Sequence, residues 1–321
     1  MADVVLLLTF AETAPSASGC GSCGGTGGAC ATPAPGAVDC ASAPPRAAVL
    51  GCRDALVADG AHVEIVAVDA DAEIDALLSR LDGPARPDGL RWPAAGGPRL
   101  VVACAVDGQL RAVLRRMVRR YAPPPSRRPS DLPATRTMPD LPAIGILPLD
   151  RSATGDLAER LDLPRDPAEV AKAVLHGQVR RLDLLRDDRG SVTAHGALLA
   201  GAAPWSGRIE VDDVVLAEPD EPVLACAIAN ADGYATVAGL PLAAGADPSD
   251  GSVTVAVAIP VVNRSVLGRQ RVRIEVRRVR GRAVSVAPRE EVPYLDDGVA
   301  GTLGRKRSWW IEPGAWGVFR P

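Results

Sequence analysis

One short turn combines the residue types that phosphate chemistry uses. It reads Ala105-Val106-Asp107-Gly108-Gln109 and stands between an apolar run and an amphipathic stretch. The carboxylate of Asp107 can accept a proton from a hydroxyl group or help to hold Mg²⁺, and a glycine lets the backbone come close to a bound group. The alternative without chemistry is a tight turn in which Asp107 caps the following helix.

Four cysteines stand together in a glycine-rich stretch near the start of the chain. They are Cys20, Cys23, Cys30 and Cys40. The first two form a C-x2-C pair, whose thiolates can face the same tetrahedral metal ion. The set can hold Zn²⁺, an iron–sulfur cluster or reversible disulfides, although its spacing matches no standard cluster pattern. Unpaired thiols in a loose loop are the remaining alternative.

The first half of the chain alternates between strand-like and helix-like segments, and this pattern predicts a doubly wound parallel sheet. Ligands of such sheets sit beyond the carboxyl ends of the strands. The predicted strands are 4–10, 62–68, 99–106 and 142–149, and the predicted helices are 47–59, 71–81, 110–121 and 166–177.

From about Val179 onward, short alternating runs with turn signals replace the helical pattern, which predicts an antiparallel β domain. We therefore expect an α/β nucleotide-binding-like domain over residues 1–182, a β domain over 183–303, and a tail over 304–321 that packs back on the first domain. The Cys/Gly-rich loop is placed at 11–46. The Pro-rich segment at 121–141 is expected to be a surface excursion, too polar and too proline-broken to pack.

Composition excludes several classes of protein. The formal net charge of -3 over 321 residues argues against nucleic acid as the main partner, and no stretch is long enough to span a bilayer. The first charges are Asp3 and Glu12, so the run between them reads as a buried strand rather than a signal peptide. A cytoplasmic location is expected, with membrane association and assembly of identical chains left open.

The stretch after Gly108 carries an apolar stripe with arginines off the stripe, at Arg111, Arg115, Arg116, Arg119 and Arg120. Such a pattern usually means a solvated basic face. The functional alternative is an anionic partner, either a phospholipid surface or an acidic protein.

A series of short motifs resembles the diacylglycerol kinase catalytic family, which is related to sphingosine kinases and NAD kinases. In that family the third strand ends in Gly-Gly-Asp-Gly-Thr, and here the aligned residues are Ala105 to Gln109. The other matches, in family order, are "GILPL" from Gly145, "GDLAERLDLP" around Asp156, "AIAN" ending at Asn230, "DPSDG" ending at Gly251, and Asp297-Gly298-Val299 in place of Asp-Gly-Glu.

The resemblance implies a diacylglycerol kinase-like fold, ATP and Mg²⁺ as cofactors, and transfer of phosphate to a lipid hydroxyl. Asp107 would be catalytic. The residues implied around the nucleotide and substrate are Gly108, Gln109, Ser152, Thr154, Asp156 and Asn230.

Several departures from the family pattern fall in the motifs that carry the chemistry. Ala105 and Val106 replace glycines, at roughly 1–2 kcal/mol each if a left-handed backbone is required there. Asp150 places a negative charge where the family meets phosphate, and Val299 cannot act as an acid, a base or a metal ligand. The sequence therefore predicts weak or absent kinase activity. The alternative is an inactive regulatory or scaffold protein that uses its Cys-rich loop for metal, cluster or redox chemistry, or binds a partner protein.

Overall fold

A computed structural model of the chain describes residues 3–11, 43–264 and 270–321, with the backbone alone described for residues 43–46, 262–264 and 270–271. The first half alternates between strands and helices, with short 3-10 turns at Ser79–Leu81 and Pro125–Arg127. The elements are β1 (Val4–Phe10), α1 (Ala43–Ala58), β2 (His62–Val68), α2 (Asp71–Leu78), β3 (Arg99–Cys104), α3 (Asp107–Tyr121), β4 (Ala143–Pro148), α4 (Leu157–Arg160) and α5 (Pro167–His176).

The strands of this half form a parallel sheet in the order β2-β1-β3-β4. Both faces of the sheet are covered, which explains why β1 is apolar at consecutive positions rather than at alternate ones. Val5 and Leu7 pack with α1 and α5, whereas Leu6 and Leu8 pack with α2 and α3. Helices on both faces make this part doubly wound.

The second half is built almost entirely of strands. They are β5 (Gln178–Asp187), β6 (Val192–Thr193), β7 (Gly196–Val211), β8 (Val214–Ala217), β9 (Pro222–Ala229), β10 (Thr236–Val237), β11 (Leu240–Pro241), β12 (Val253–Arg264), β13 (Gln270–Gly281), β14 (Ala283–Pro288), β15 (Val292–Asp296), β16 (Val299–Leu303) and β17 (Arg307–Arg320). Except between β4 and β17, their pairings are antiparallel.

Strand β17 connects the two halves. Its first part pairs with β14 of the antiparallel region, and its last part runs parallel to β4, with Gly317 opposite Ala143. Its tryptophans follow this division, since Trp309 packs in the core of the antiparallel half and Trp316 in the core of the parallel half. One continuous sheet therefore runs through both halves and fixes their relative position.

These features confirm the predicted fold class, a doubly wound α/β domain followed by an antiparallel β domain. Local boundaries differ from the predicted ones. Helix α3 begins at Asp107 rather than at Leu110, and α4 was not predicted, because four residues are too few to show a period.

The Pro-rich segment packs more closely than its composition predicts. Leu132, Met138 and Leu141 are buried. The backbone N–H of Thr137 donates to the fully buried Glu312 carboxylate at 2.8 Å. The expectation that this segment is too proline-broken to pack was wrong, because a few apolar side chains and one buried acid are enough to hold it against β17.

The parallel sheet creates a crevice at the carboxyl ends of β1 and β3. These strands are neighbours, but the chain leaves them toward opposite faces, through α1 and α3. That divergence opens the sheet edge where ligands bind in doubly wound folds. The turn that contains Asp107 lies there. No described helix combines the length and apolar character that a membrane crossing requires.

Candidate functional site

The turn after β3 is unstrained. Val106 has φ -144° and ψ 152°, an extended conformation open to any residue, and α3 begins directly after it. Ala105 is likewise absent from the described residues with positive φ. The backbone therefore follows a path that tolerates Cβ atoms, and the strain that two replaced glycines could have introduced does not arise.

The side chain of Gln109 forms a hydrogen bond with the backbone of the same turn. Its Oε1 accepts a hydrogen bond from the backbone N–H of Ala105 at 2.7 Å. In a phosphate loop, backbone N–H groups of this kind face the bound oxygens. The glutamine amide thus occupies this backbone donor.

The Asp107 carboxylate connects this turn to the next one. It accepts the Leu157 backbone N–H at 3.1 and 3.2 Å, at the first residue of α4. Burial raises the pKa of Asp107, the Leu157 bond opposes that rise, and the neighbouring Asp156 charge adds to it. The alternative prediction that Asp107 caps the following helix was wrong, because α3 begins at Asp107 and has no side-chain cap, and the carboxylate binds the first N–H of α4 instead. A half-buried carboxyl with a raised pKa could also exchange protons.

The segment between β4 and α4 is held together by its own side chains. Asp150 accepts hydrogen bonds from the backbone N–H of Ser152 at 2.9 Å and from its hydroxyl at 2.7 Å. Asp156 caps α4 through the Glu159 N–H at 2.9 Å and forms an ion pair with Arg165. The two hydrogen bonds from Ser152 keep the pKa of Asp150 below its usual range. Thr154 is exposed on the same segment.

The two turns enclose a small pocket at the ends of β3 and β4. Its lining includes three carboxylates, those of Asp107, Asp150 and Asp156. Within the described ranges, no group of three or more His, Cys, Asp or Glu side chains is arranged to hold a metal ion. The structure therefore brings the predicted residues Asp107 and Asp156 together in a pocket whose acidic side chains are directed mainly to backbone groups and Arg165.

The motif Asp297-Gly298-Val299 reaches this turn from the β domain. The turn between β15 and β16 brings Val299 over Gly108, and a Cβ on Gly108 would lie 2.8 Å from the Val299 Cγ2. Asp297 is buried and accepts the backbone N–H groups of Ala194, His195 and Gly196 at 2.6–3.0 Å. Burial and the adjacent Asp296 charge raise the pKa of Asp297. The motif thus lies close to the turn, but the Asp297 carboxylate is engaged by backbone N–H groups and holds the β domain together.

Asn230 is also engaged within the fold. It is 1% exposed, and its Nδ2 donates to the backbone oxygens of Asp183 at 2.8 Å and Ala194 at 3.0 Å. It does not line the pocket beside Asp107. Its contact with a cofactor stays a prediction, and these bonds give it a structural role.

The remaining predicted site lies elsewhere. Cys20, Cys23, Cys30 and Cys40 fall outside the described residues, so their metal, cluster or redox role stays a prediction. The other three thiols, Cys52, Cys104 and Cys226, are buried, and burial raises the pKa of each to about 12. These three are therefore protonated and unreactive at neutral pH.

Most arginines of α3 are paired within the molecule. Arg111 donates to the buried Asp296 at 2.6 Å. The other pairs are Arg115 with Asp71, Arg116 with Asp71 and Asp75, and Arg120 with Asp82. This pairing removes much of the free positive charge on which the interpretation as a face for an anionic partner depends. The sequence had given no sign of it, because the partner acids lie far away along the chain.

Three further residues near the cleft escaped sequence reasoning. His195 and Tyr234 form an edge-to-face pair with ring centres 4.8 Å apart, and Arg160 lies against Gly233 beside them. Arg160 lies in the "GDLAERLDLP" motif, but His195 and Tyr234 stand in no motif and at no metal-ligand spacing, so only the tertiary structure brings the three together.

The architecture and the motif positions define a diacylglycerol kinase-like catalytic-domain fold. The chain is similar in structure to a diacylglycerol kinase from Bacillus anthracis str. Sterne, with a TM-score of 0.60, 12% identity, and coverage of 99% of this chain and 97% of that one. Two further structures, of candidate diacylglycerol kinases from the same organism, give TM-scores of 0.61 at the same identity and coverage. No protein-family model and no curated protein matches the sequence.

Proposed function

We propose that this chain is a diacylglycerol kinase-like protein that binds ligands in its cleft and transfers no phosphate from Mg-ATP to a lipid. The observation that carries the proposal is the bond from the Ala105 N–H to the Gln109 Oε1. Phosphoryl transfer depends on positioned donors and charges rather than on covalent help from the protein. A turn whose donor is taken by its own side chain lacks part of that machinery.

Charge in the pocket supports the same conclusion. Asp107, Asp150 and Asp156 line it together. A phosphate charge about 4 Å from one unpaired carboxylate is disfavoured by about 4 kcal/mol at an effective dielectric constant of 20. Mg²⁺ would need one or two of these carboxylates together with the nucleotide phosphates. The three carboxylates already accept the Leu157 and Ser152 backbone N–H groups or pair with Arg165, so Mg-ATP would have to compete with these contacts.

Val299 gives the third line of support. It is 42% exposed and lies against Gly108, where a charged side chain would be needed to move a proton or hold a metal ion. Val106, 61% exposed, belongs to the same turn. Apolar side chains at this mouth favour a binding role over phosphate chemistry.

The test is calorimetric titration of the reduced protein with Mg-ATP, together with a phosphate-transfer assay on diacylglycerol in mixed micelles. We expect no heat of binding at millimolar nucleotide and no labelled lipid. The informative variant is Gln109→Thr, which frees the Ala105 N–H and should raise nucleotide affinity above that of the wild type. Val214→Thr, an exposed change in β8, is the matched control.

The proposal fails if Mg-ATP binds the wild type in the micromolar range and Asp107→Ala abolishes this binding. In that case the turn holds phosphate, and the ATP-dependent lipid kinase is the better description. Metal content measured on the same sample tests the second proposal, that Cys20, Cys23, Cys30 and Cys40 bind Zn²⁺ or an iron–sulfur cluster.

A further inference from the structure

The outer edge of the parallel sheet is strand β2, which pairs with β1 alone in the part of the chain that the structure describes. The pairing runs over the whole length of β2, from His62 opposite Val4 to Val68 opposite Phe10. On the other side of β2 the order of described strands ends. Strand β2 is therefore an open edge, and an open edge can accept another strand.

Alternate residues of β2 direct their backbone groups outward. The His62 N–H donates to the Asp3 carbonyl at 2.8 Å, and the Val68 carbonyl accepts the Ala11 N–H at 2.9 Å, so the even-numbered residues bond to β1. In a parallel pair, the residues between them point their N–H and C=O groups to the opposite side. The outward-facing residues are Val63, Ile65 and Ala67. Their backbone groups form a row of donors and acceptors that no other described strand uses.

The side chains along this edge are mostly apolar. Ile65 is 37% exposed and belongs to neither core of the parallel half, although Leu7, its neighbour on β1, is fully buried. Helix α1 packs against β2 and exposes Val57, at 53%. The one acid of the strand, Glu64, is held by two guanidinium nitrogens of Arg80 at 2.7 Å. Strands of parallel sheets are usually covered, so an exposed apolar edge of this kind indicates a covering partner.

Strand β2 lacks the features that normally prevent one edge strand from pairing with another. Natural edges carry lysine, proline or a bulge. The sequence of β2, HVEIVAV, contains neither residue, and its register with β1 is continuous. The opposite end of the sheet is protected, because two copies of β13 would bring like charges together. The arginines of β13 are Arg271, Arg273, Arg277, Arg278 and Arg280.

We infer that β2 pairs with β2 of a second copy of this chain, antiparallel and around a twofold axis at Ile65. In this register Ile65 lies opposite Ile65 of the second copy, and Val63 lies opposite Ala67. These are the residues whose backbone groups face outward, so each pair can exchange both of its hydrogen bonds. Glu64 falls opposite Val66, so no like charges are opposed. The edge is therefore complementary to itself, as a twofold interface requires, and this favours a second copy over an unrelated strand.

Sedimentation velocity of the reduced full chain, over about a hundredfold range of concentration, measures the association. We expect a dimer whose share rises with concentration. Ile65→Lys and Ile65→Glu should each be monomeric, because each places like charges opposite one another on the twofold axis. Val272→Lys is the matched control, since Val272 is a 68% exposed valine on the other edge strand, and this variant should dimerise like the wild type.

Mixing the two Ile65 variants tests the register. Lysine in one copy then lies opposite glutamate in the other, so the mixture should recover the dimer that neither variant forms alone. An interface elsewhere on the molecule would not respond to the mixing. Circular dichroism checks that each variant is folded, and the exposure of Ile65 favours this.

Hydrogen exchange of the wild type tests the same edge without any substitution, and it decides the matter if a variant does not fold. The amides of Val63, Ile65 and Ala67 should exchange rapidly at low concentration and be protected in the dimer, whereas the amides of β13 should exchange equally at both concentrations.

Three results overturn the inference. They are a monomer at every concentration, a dimer that Ile65→Lys leaves intact, and protection of the three amides already in the monomer, because the edge would then be covered by the chain itself. The assembly is independent of what the cleft binds. A failure of the nucleotide titrations to give the expected result would therefore refute the proposed function without affecting this one.

Discussion

The ion pair between Arg111 and Asp296 is the contact whose loss should most disturb the arrangement of the two halves. Their side chains are 13% and 1% exposed, and Arg111 also donates to the Val192 carbonyl at 2.8 Å and to the Ser191 hydroxyl at 2.7 Å. Arg111→Met keeps the apolar stem but leaves the Asp296 charge buried without its partner. Breaking one side of a buried pair typically destabilises a protein by about 3–5 kcal/mol.

Urea unfolding at pH 7 and thermal unfolding measure this loss. With an unfolding entropy of roughly 2.1 cal/mol/K per residue over 321 residues, the midpoint should fall by roughly 4–7 °C. The control is Arg115→Met, one helical turn further on, which breaks an exposed pair with Asp71 in which the side chains are 43% and 47% exposed. Exposed pairs contribute about 0–1 kcal/mol, so this variant should be nearly as stable as the wild type.

The pH dependence provides a second readout. Burial raises the pKa of Asp296, and Arg111 opposes that rise. Without Arg111 the carboxyl binds a proton at higher pH, and a group with a raised folded-state pKa destabilises the fold as pH increases. The deficit of Arg111→Met should therefore be largest at neutral pH and shrink as the pH falls through the raised pKa of the Asp296 carboxyl.

Two results would refute this reasoning. One is an Arg111→Met variant no less stable than Arg115→Met, which would mean that the pair does not dock α3 on the β domain. The other is a double variant, Arg111→Met with Asp296→Asn, that is no more stable than the single variant. Because removing both charges relieves the buried carboxylate, we expect the double variant to recover part of the loss.

Two further predictions concern stability alone. Burial lowers the pKa of His195 to about 4, so the unfolding free energy should fall by up to about 3 kcal/mol through this group as the pH falls from 6.5 to 4. In urea titrations, His195→Gln should reduce this dependence on pH. The control is His62→Gln, an exposed change that should not reduce it. Gly145→Ala places a Cβ against the Val174 side chain and should destabilise the protein by about 1–3 kcal/mol. Gly51→Ala, on the exposed side of α1, should instead stabilise it by up to about 1 kcal/mol. Differential scanning calorimetry measures both changes, and the same sign for both would contradict the packing argument.

The site and the fold carry different information about function. A shared fold at 12% identity establishes the architecture, but a fold often persists after its chemistry has changed. The Gln109 bond, the acidic pocket and Val299 are properties of this chain, and they concern the chemistry directly. The nucleotide titration therefore decides more about this protein than any further structural comparison.

The sequence alone was sufficient for the main strands and the longer helices of the parallel half. Strands β1 and β2 lie at the predicted residues, because an apolar run bounded by turn signals is a local property. The order of the motifs was likewise visible and led to the correct fold class. Asp107 and Asp156 could be predicted as neighbours, since both follow adjacent parallel strands and the carboxyl ends of such strands meet at one edge.

The tertiary structure decided the rest, because the deciding contacts join residues far apart in the chain. Val299 lies on Gly108 across 191 positions of sequence, and Arg111 meets Asp296 across 185. A run of arginines has the same appearance in sequence whether it faces solvent, a membrane or internal acids. Strand β5 is not among the predicted strands, and its pairing partner β17 follows more than 100 residues later. Such pairings depend on which distant segments meet in the folded chain, and the periodicity of one segment does not reveal them.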